Sequence, residues 1–276
     1  MAGAAIRDGL SFGAVLALLV GVSLLPPDTS LREVQRAGSI RACVPPSYPP
    51  LVTGDPDLPG LDIELLGAVA TRLGVTLALN TNAAMGRDFN PRNWGLNRSQ
   101  CQVVAGGVVD STQTRSFLET GPTYADTGWA IVSPAPLDGL AGRTVGVLTL
   151  VSGLDRIGLA SVLRGEGVAA RIVTSTDTLA AGIADGTFDA GVTEALLAST
   201  LAADNGWTVA WMPPALTRYH LVFGLWKGDI TLKRAISEAF ARLEADGTLA
   251  TIVARYRKAP IAEPATSPSS SGATTS

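Results

Sequence analysis

The chain holds a single histidine, His220, and two cysteines, Cys43 and Cys101, in 276 residues. A zinc site built from Cys and His alone needs about four such ligands, so no metal is expected. No nucleophile–base pair of the catalytic kind is visible, and no cofactor motif stands out. Charge is also sparse: Asp, Glu, Lys and Arg make up 16%, the net charge is −3 and the pI is about 5.2. A nucleic-acid binder would carry a basic stripe, so nucleic acid is not an expected partner. Apolar residues, at 46%, are plentiful enough for a sizeable core, and the length suits one large domain or two modest ones.

One long uncharged run occupies residues 9–25, GLSFGAVLALLVGVSLL, with Arg7 before it. It is longer than a usual secretory h-region and shorter than a spanning helix of about 20 residues. Residues 1–27 are therefore expected to be an export signal, with a retained membrane anchor as the alternative. Gly21 and Ser23 are small enough to suit a cleavage site. No cysteine follows the run, which argues against a lipoprotein anchor. On either reading, residues from about 28 onward lie in the periplasm or another extracytoplasmic space, where two cysteines can pair.

Strand and helix patterns alternate along the chain. Residues 38–44 read as a strand, 61–74 as a helix with Leu66, Val69, Ala70 and Leu73 on one face, and 75–79 as a strand. Residues 102–105 form another short apolar strand. A second set begins at Leu140, with strands at 144–148, 171–174 and 188–192. Helices are expected at 152–164, at 177–185 with Thr176 as N-cap, and at 195–204. Such alternation indicates parallel βαβ units. Two extended segments, 128–132 and 219–225, read as crossings between two such units. A long helix follows through Leu243 and ends at Gly247, and Thr248 can cap a last one. The final PIAEPATSPSSSGATTS cannot bury a core and is expected to be disordered.

Five stretches together resemble the extracytoplasmic solute-binding proteins of family 3, which serve polar amino-acid transporters. They are IRACVPPSYPPL, LPGLDIELLGAVATRLGV, VVAGGVVDSTQTRSFLETGPTY, LAGRTVGVLTLVSG, and GTFDAGVTE followed by ARLEADGTLATIVARY. The resemblance implies a two-lobed α/β fold of the type II periplasmic-binding class, each lobe a mostly parallel sheet flanked by helices. Lobe one would comprise residues 31–130 with 221–258, lobe two residues 135–217, and residues 259–276 the tail. It further implies a receptor, not an enzyme, that passes a small polar solute to the membrane permease of an ABC transporter.

In such a receptor Arg115 would grip the ligand carboxylate with its planar fork. Thr112 would cap the helix start beside Asp110 and Ser111, and the helix dipole would favour the same anion. Asp110 departs from the family, which carries a hydroxyl there. It would repel an anion and can pair with Arg115 instead. A plain surface arginine and a helix cap are the alternatives from spacing alone. Glu194 matches the family's ammonium-binding aspartate, against the simpler role of a helix-start acid. Tyr48 and Phe89 would form an aromatic clamp, with Trp94 the competitor to Phe89 and core packing the simpler role for each. Thr149, Ser152 and Gly153 resemble a donor loop on lobe two. Cys43 and Cys101 would lie on neighbouring parallel strands and form a disulfide. The same cysteine positions also resemble a subgroup associated with periplasmic quinoprotein alcohol dehydrogenases, whose cleft would contact that enzyme. A dehydratase-like enzyme with Glu194 as general acid is a further, minor alternative.

Overall fold

The computed structural model describes residues 27–86, 91–149 and 154–264. The expected export signal, Phe89, Ser152 and Gly153 lie outside the described residues. Among those described, no helix is long and apolar enough to cross a membrane.

The elements run α1 Ser30–Ala37, β1 Ser39–Val44, α2 Leu61–Leu73, β2 Thr76–Thr81, β3 Val103–Val104, α3 Thr112–Phe117, β4 Glu119–Thr127 and β5 Trp129–Ser133. They continue with β6 Thr144–Leu148, α4 Arg156–Gly165, β7 Ala169–Val173, α5 Thr176–Ala184, β8 Ala190–Glu194, α6 Ala195–Asn205 and β9 Thr208–Trp211. Last come β10 Tyr219–Leu225, α7 Ile230–Ala245 and α8 Thr248–Tyr256.

Two five-stranded sheets result, in the orders β2-β1-β3-β10-β4 and β7-β6-β8-β5-β9. The two orders follow one plan. In each, three strands from βαβ units pair in parallel, and two strands from the crossings add on antiparallel. The sheets are therefore mixed: four strands of each run one way, and β10 or β5 runs against them. The strands that carry the chain between the sheets have no crossover helix to reverse them, so they meet their neighbours antiparallel. Gly128 alone separates β4 of the first sheet from β5 of the second. Trp129 and Ala130 thus pair within the second sheet, although they fall inside the 31–130 span expected of lobe one.

Local chemistry explains several element ends. Helix α2 stops at Gly74, whose φ of 71° is left-handed and suits glycine, and the Val75 amide returns to the Ala70 carbonyl. Two helices begin with the same pattern, Ser-Thr-x-Thr. In α3 the Ser111 Oγ accepts the Thr114 amide at 3.1 Å, and in α5 the Ser175 Oγ accepts the Thr178 amide at 3.1 Å. The caps are thus Ser111 and Ser175, one residue before the expected Thr112 and Thr176. The first hydroxyl is the one spaced to reach the third helical amide. Thr248 likewise caps nothing. Its amide is taken by Asp246 Oδ1 at 3.0 Å.

Buried apolar side chains form one large cluster shared by the two sheets. It includes Leu51, Leu66 and Phe223 with the first, and Val145, Val192 and Leu196 with the second. A smaller cluster surrounds the Cys43–Cys101 disulfide with Met85, Trp94, Leu96 and Val104. Trp94 is buried in that cluster, the core-packing role.

Residues 259–264 depart from the expected disordered tail. The Ala259 amide donates to Ser199 Oγ at 2.8 Å, and that hydroxyl donates to the Ala259 carbonyl at 2.7 Å. Ala262 pairs with β9, donating to the Val209 carbonyl at 3.0 Å and accepting the Trp211 amide at 2.9 Å. Glu263 takes both Nη groups of Arg218, at 2.9 and 2.5 Å, while Arg218 lies over the Trp211 ring at 4.5 Å. Backbone pairing to an exposed sheet edge needs no apolar composition, which is why the sequence of this segment suggested nothing. Residues 265–276 lie outside the described residues.

Candidate functional site

The site is built around three buried side chains from different elements. Asp62 stands in the first turn of α2 and is fully buried. Its Oδ2 accepts the amides of Gly106 and Gly107 at 2.6 and 3.1 Å, and its Oδ1 accepts the Tyr124 hydroxyl at 2.7 Å. Gly106 and Gly107 have φ of 92° and 86°, a conformation that aims successive amides at one anion. A Cβ on Gly107 would stand 2.7 Å from Tyr48 Cε1, so the glycine also admits the Tyr48 ring.

Tyr48 sits in a tight turn closed by its own backbone bonds to Val52, at 2.6 and 2.8 Å. Its side chain is buried, and its hydroxyl has no hydrogen-bond partner among the described residues.

Glu194 ends β8 and caps α6. Its Oε2 accepts the Leu197 amide at 3.0 Å, and its Oε1 accepts the Thr127 hydroxyl at 2.5 Å. Thr127 is the last residue of β4, so this bond spans the first crossing. The Ala195 amide also reaches the Gly128 carbonyl there, at 3.0 Å.

Burial governs the electrostatics. It pushes the Asp62 carboxyl up to about 6 despite three hydrogen bonds that favour the anion. Burial raises Glu194 too, against its Thr127 and helix-amide bonds, and the Asp62 charge raises it further. Tyr48 is raised well above the ordinary tyrosine value, by burial first and then by the charges of Glu194 and Asp62.

The expected anion site is arranged differently. Arg115 Nε bonds Asp110 Oδ1 at 2.6 Å, and the Arg115 side chain is 60% exposed. Thr112 is exposed at the first position of α3, and Ser111 is committed to its cap. Asp110, Ser111, Thr112 and Arg115 thus form a self-paired helix start outside the buried cluster. Of the second-lobe loop, Thr149 is half-buried and its carbonyl accepts an Nη of Arg156. Sequence reasoning missed Asp62, Tyr124 and Thr127. The available signal was a carboxylate opening an otherwise apolar helix, together with the paired glycines of VVAGGVV.

Two sheets on one plan, joined through crossings beside a buried polar cluster, define a class: the type II periplasmic binding architecture of amino-acid receptors. An ancestral cationic amino acid solute-binding protein matches at TM-score 0.66 and 20% identity, over 83% of this chain and 100% of that one. A mutant of ArgBP from T. maritima matches at 0.59 and 19%, over 82% and 98%. Residues 40–259 match the bacterial extracellular solute-binding proteins, family 3, and the chain belongs to that family. It is 24% identical over 266 residues to the L-cystine-binding protein TcyJ of Escherichia coli strain K12, covering 91% of this chain and 95% of that protein. It is also 25% identical over 277 residues to the membrane-bound lytic murein transglycosylase F of Pectobacterium atrosepticum, covering 89% of this chain but 53% of that protein.

Proposed function

We propose that this chain is a non-enzymatic extracytoplasmic receptor that encloses a small polar, amino-acid-like solute between two lobes and delivers it to an ABC-transporter permease. One observation supports this above others. Glu194 is buried against Thr127 at the first crossing, and its charge, with that of Asp62, bears on the buried Tyr48, whose hydroxyl is unpartnered among the described residues. The lobes would be the units carrying the first sheet, with residues 221–258, and the second. Closure would be a bending at Gly128 and at the β9–β10 connection, the hinge motion of two-lobed binders. Membership of the family and relatives named for cystine and for cationic amino acids agree with a solute of this kind.

The test is a thermal-shift screen of the full exported chain against acidic, neutral and basic amino acids and small amines. A ligand at a hundred times its Kd should add about 2.7 kcal/mol of stability, roughly 5–10 °C at this size. Glu194→Gln should remove most of that rise. The amide can still accept from Leu197 and donate to Thr127, so the fold survives. One structural feature favours a second reading, in which the cleft contacts a quinoprotein dehydrogenase. Asp110 occupies Arg115, the expected carboxylate grip. No shift with any solute, together with direct association between the purified chain and such an enzyme, would replace the receptor reading.

A further inference from the structure

The receptor reading leaves open what the enclosed end of the site accepts, and three observations bear on it. The first is Tyr48, 4% exposed, with a hydroxyl that no protein group meets among the described residues. Buried hydroxyls are nearly always bonded, to protein, water or ligand. Its Cε1 lies against Gly107, and Cε1 adjoins the carbon that bears the hydroxyl. The polar end of the ring, not its root, therefore lies beside the loop whose amides hold Asp62. The second is charge. Asp62 and Glu194 are both buried acids, and the Asp62 charge disfavours ionisation of Glu194. Glu194 accepts the Thr127 hydroxyl and helix-start amides, and a carboxylate has lone pairs beyond these. The third is Arg115, which stands exposed and paired with Asp110.

We infer that this site takes a cation bearing no carboxylate. An ammonium, amidinium or guanidinium head would donate to Glu194 and to the Tyr48 oxygen, with Asp62 as the fixed negative charge behind them. The inference rests on the receptor reading above. A cation satisfies the open acceptors and offsets two buried negative charges, which otherwise carry a large desolvation cost. A ligand carboxylate in the same enclosure would be a third anion, and Arg115 is exposed and already paired with Asp110. Here the chain departs from the zwitterion grip that its resemblance implies.

Arginine and agmatine differ only by the carboxylate, so isothermal titration of the full exported chain with both decides the matter. Putrescine and glutamate serve as further probes. Agmatine should bind about tenfold or more tighter than arginine, and glutamate should not bind. Glu194→Gln should weaken agmatine by about tenfold or more, and Tyr48→Phe by about three- to tenfold. Arg115→Ala should leave its affinity within about twofold. Tight binding of arginine or another amino acid with agmatine and putrescine silent overturns the inference and leaves the receptor reading standing. So does loss of binding in Arg115→Ala. Silence of every amino acid and every amine removes both, and assigns the Tyr48 hydroxyl to a buried water.

Discussion

Asp62→Leu should lower the stability of the folded chain by about 3–5 kcal/mol, while Asp62→Asn should change it by no more than about 1 kcal/mol. Leucine leaves two buried backbone amides and the Tyr124 hydroxyl without their acceptor. Backbone donors cannot turn away to find another. Asparagine keeps one oxygen for the Gly106 and Gly107 amides and presents its NH2 to Tyr124, whose oxygen can accept. Urea unfolding at pH 4, where the folded Asp62 carboxyl still holds its proton, reads both. Equal losses in the two variants would mean that the volume of residue 62, and not its acceptor, holds the glycine loop.

The same carboxyl sets a pH dependence whose sign can be worked out. Its folded value of about 6 lies above the ordinary 3.8, so the folded chain binds the proton more tightly than the unfolded one. The stability this contributes is fully present below about pH 4 and is lost as the pH rises through 6, an amount on the order of 2–3 kcal/mol. Glu194, also raised, adds a change of the same sign. In Asp62→Asn the slope between pH 4 and 7 should shrink to the Glu194 part. An unchanged slope would place the titration elsewhere.

Removal of the Cys43–Cys101 bridge should cost about 4 kcal/mol, since the bond closes a loop of 58 residues in the unfolded chain. Both sulfurs are fully buried. Reductant reaches them only through unfolding, so the comparison should start from chain reduced in denaturant and refolded. The denaturant midpoint should fall with the slope nearly unchanged. A loss under about 1 kcal/mol would show that the Trp94, Met85 and Leu96 cluster holds β1 and β3 together without the bond.

Much of this fold was legible because the βαβ alternation is a matter of periodicity, and periodicity is written locally. The helix at α2 is an example: its apolar face and Gly74 mark it unaided. The mixed sheets were harder. Whether Gly128–Val132 pairs parallel or antiparallel depends on which sheet it joins, and no local pattern records that. The site divided the same way. Glu194 was visible through its spacing from Asp189, yet its role as a cap bonded to Thr127 depends on a strand 67 residues earlier. Arg115 and Asp110 were both visible, and so was the chance that they pair, but only geometry places that pair outside the buried cluster. Asp62 looked like an ordinary helix-start acid because its partners, Gly106, Gly107 and Tyr124, are remote in sequence. Phe89 and Ser152 fall outside the described residues, so the clamp and the donor loop stay as the resemblance implied them.

Residues 257–264 make the chain pass between the two sheets a third time. Helix α8 packs on α2, with Tyr256 receiving the Gly60 amide at 3.2 Å, and six residues later Ala262 is a rung on β9. A hinge of two strands has one free axis; a third strand beside it turns that axis into a limited arc. The arc is set by the slack between Tyr256 and Ala259. Rotation within it would keep every bond, and rotation beyond it would load the Ser199–Ala259 clasp first and the rung at Ala262 after it. In the proposed closure the segment would therefore act as a stop on the hinge, one whose strength is a handful of hydrogen bonds.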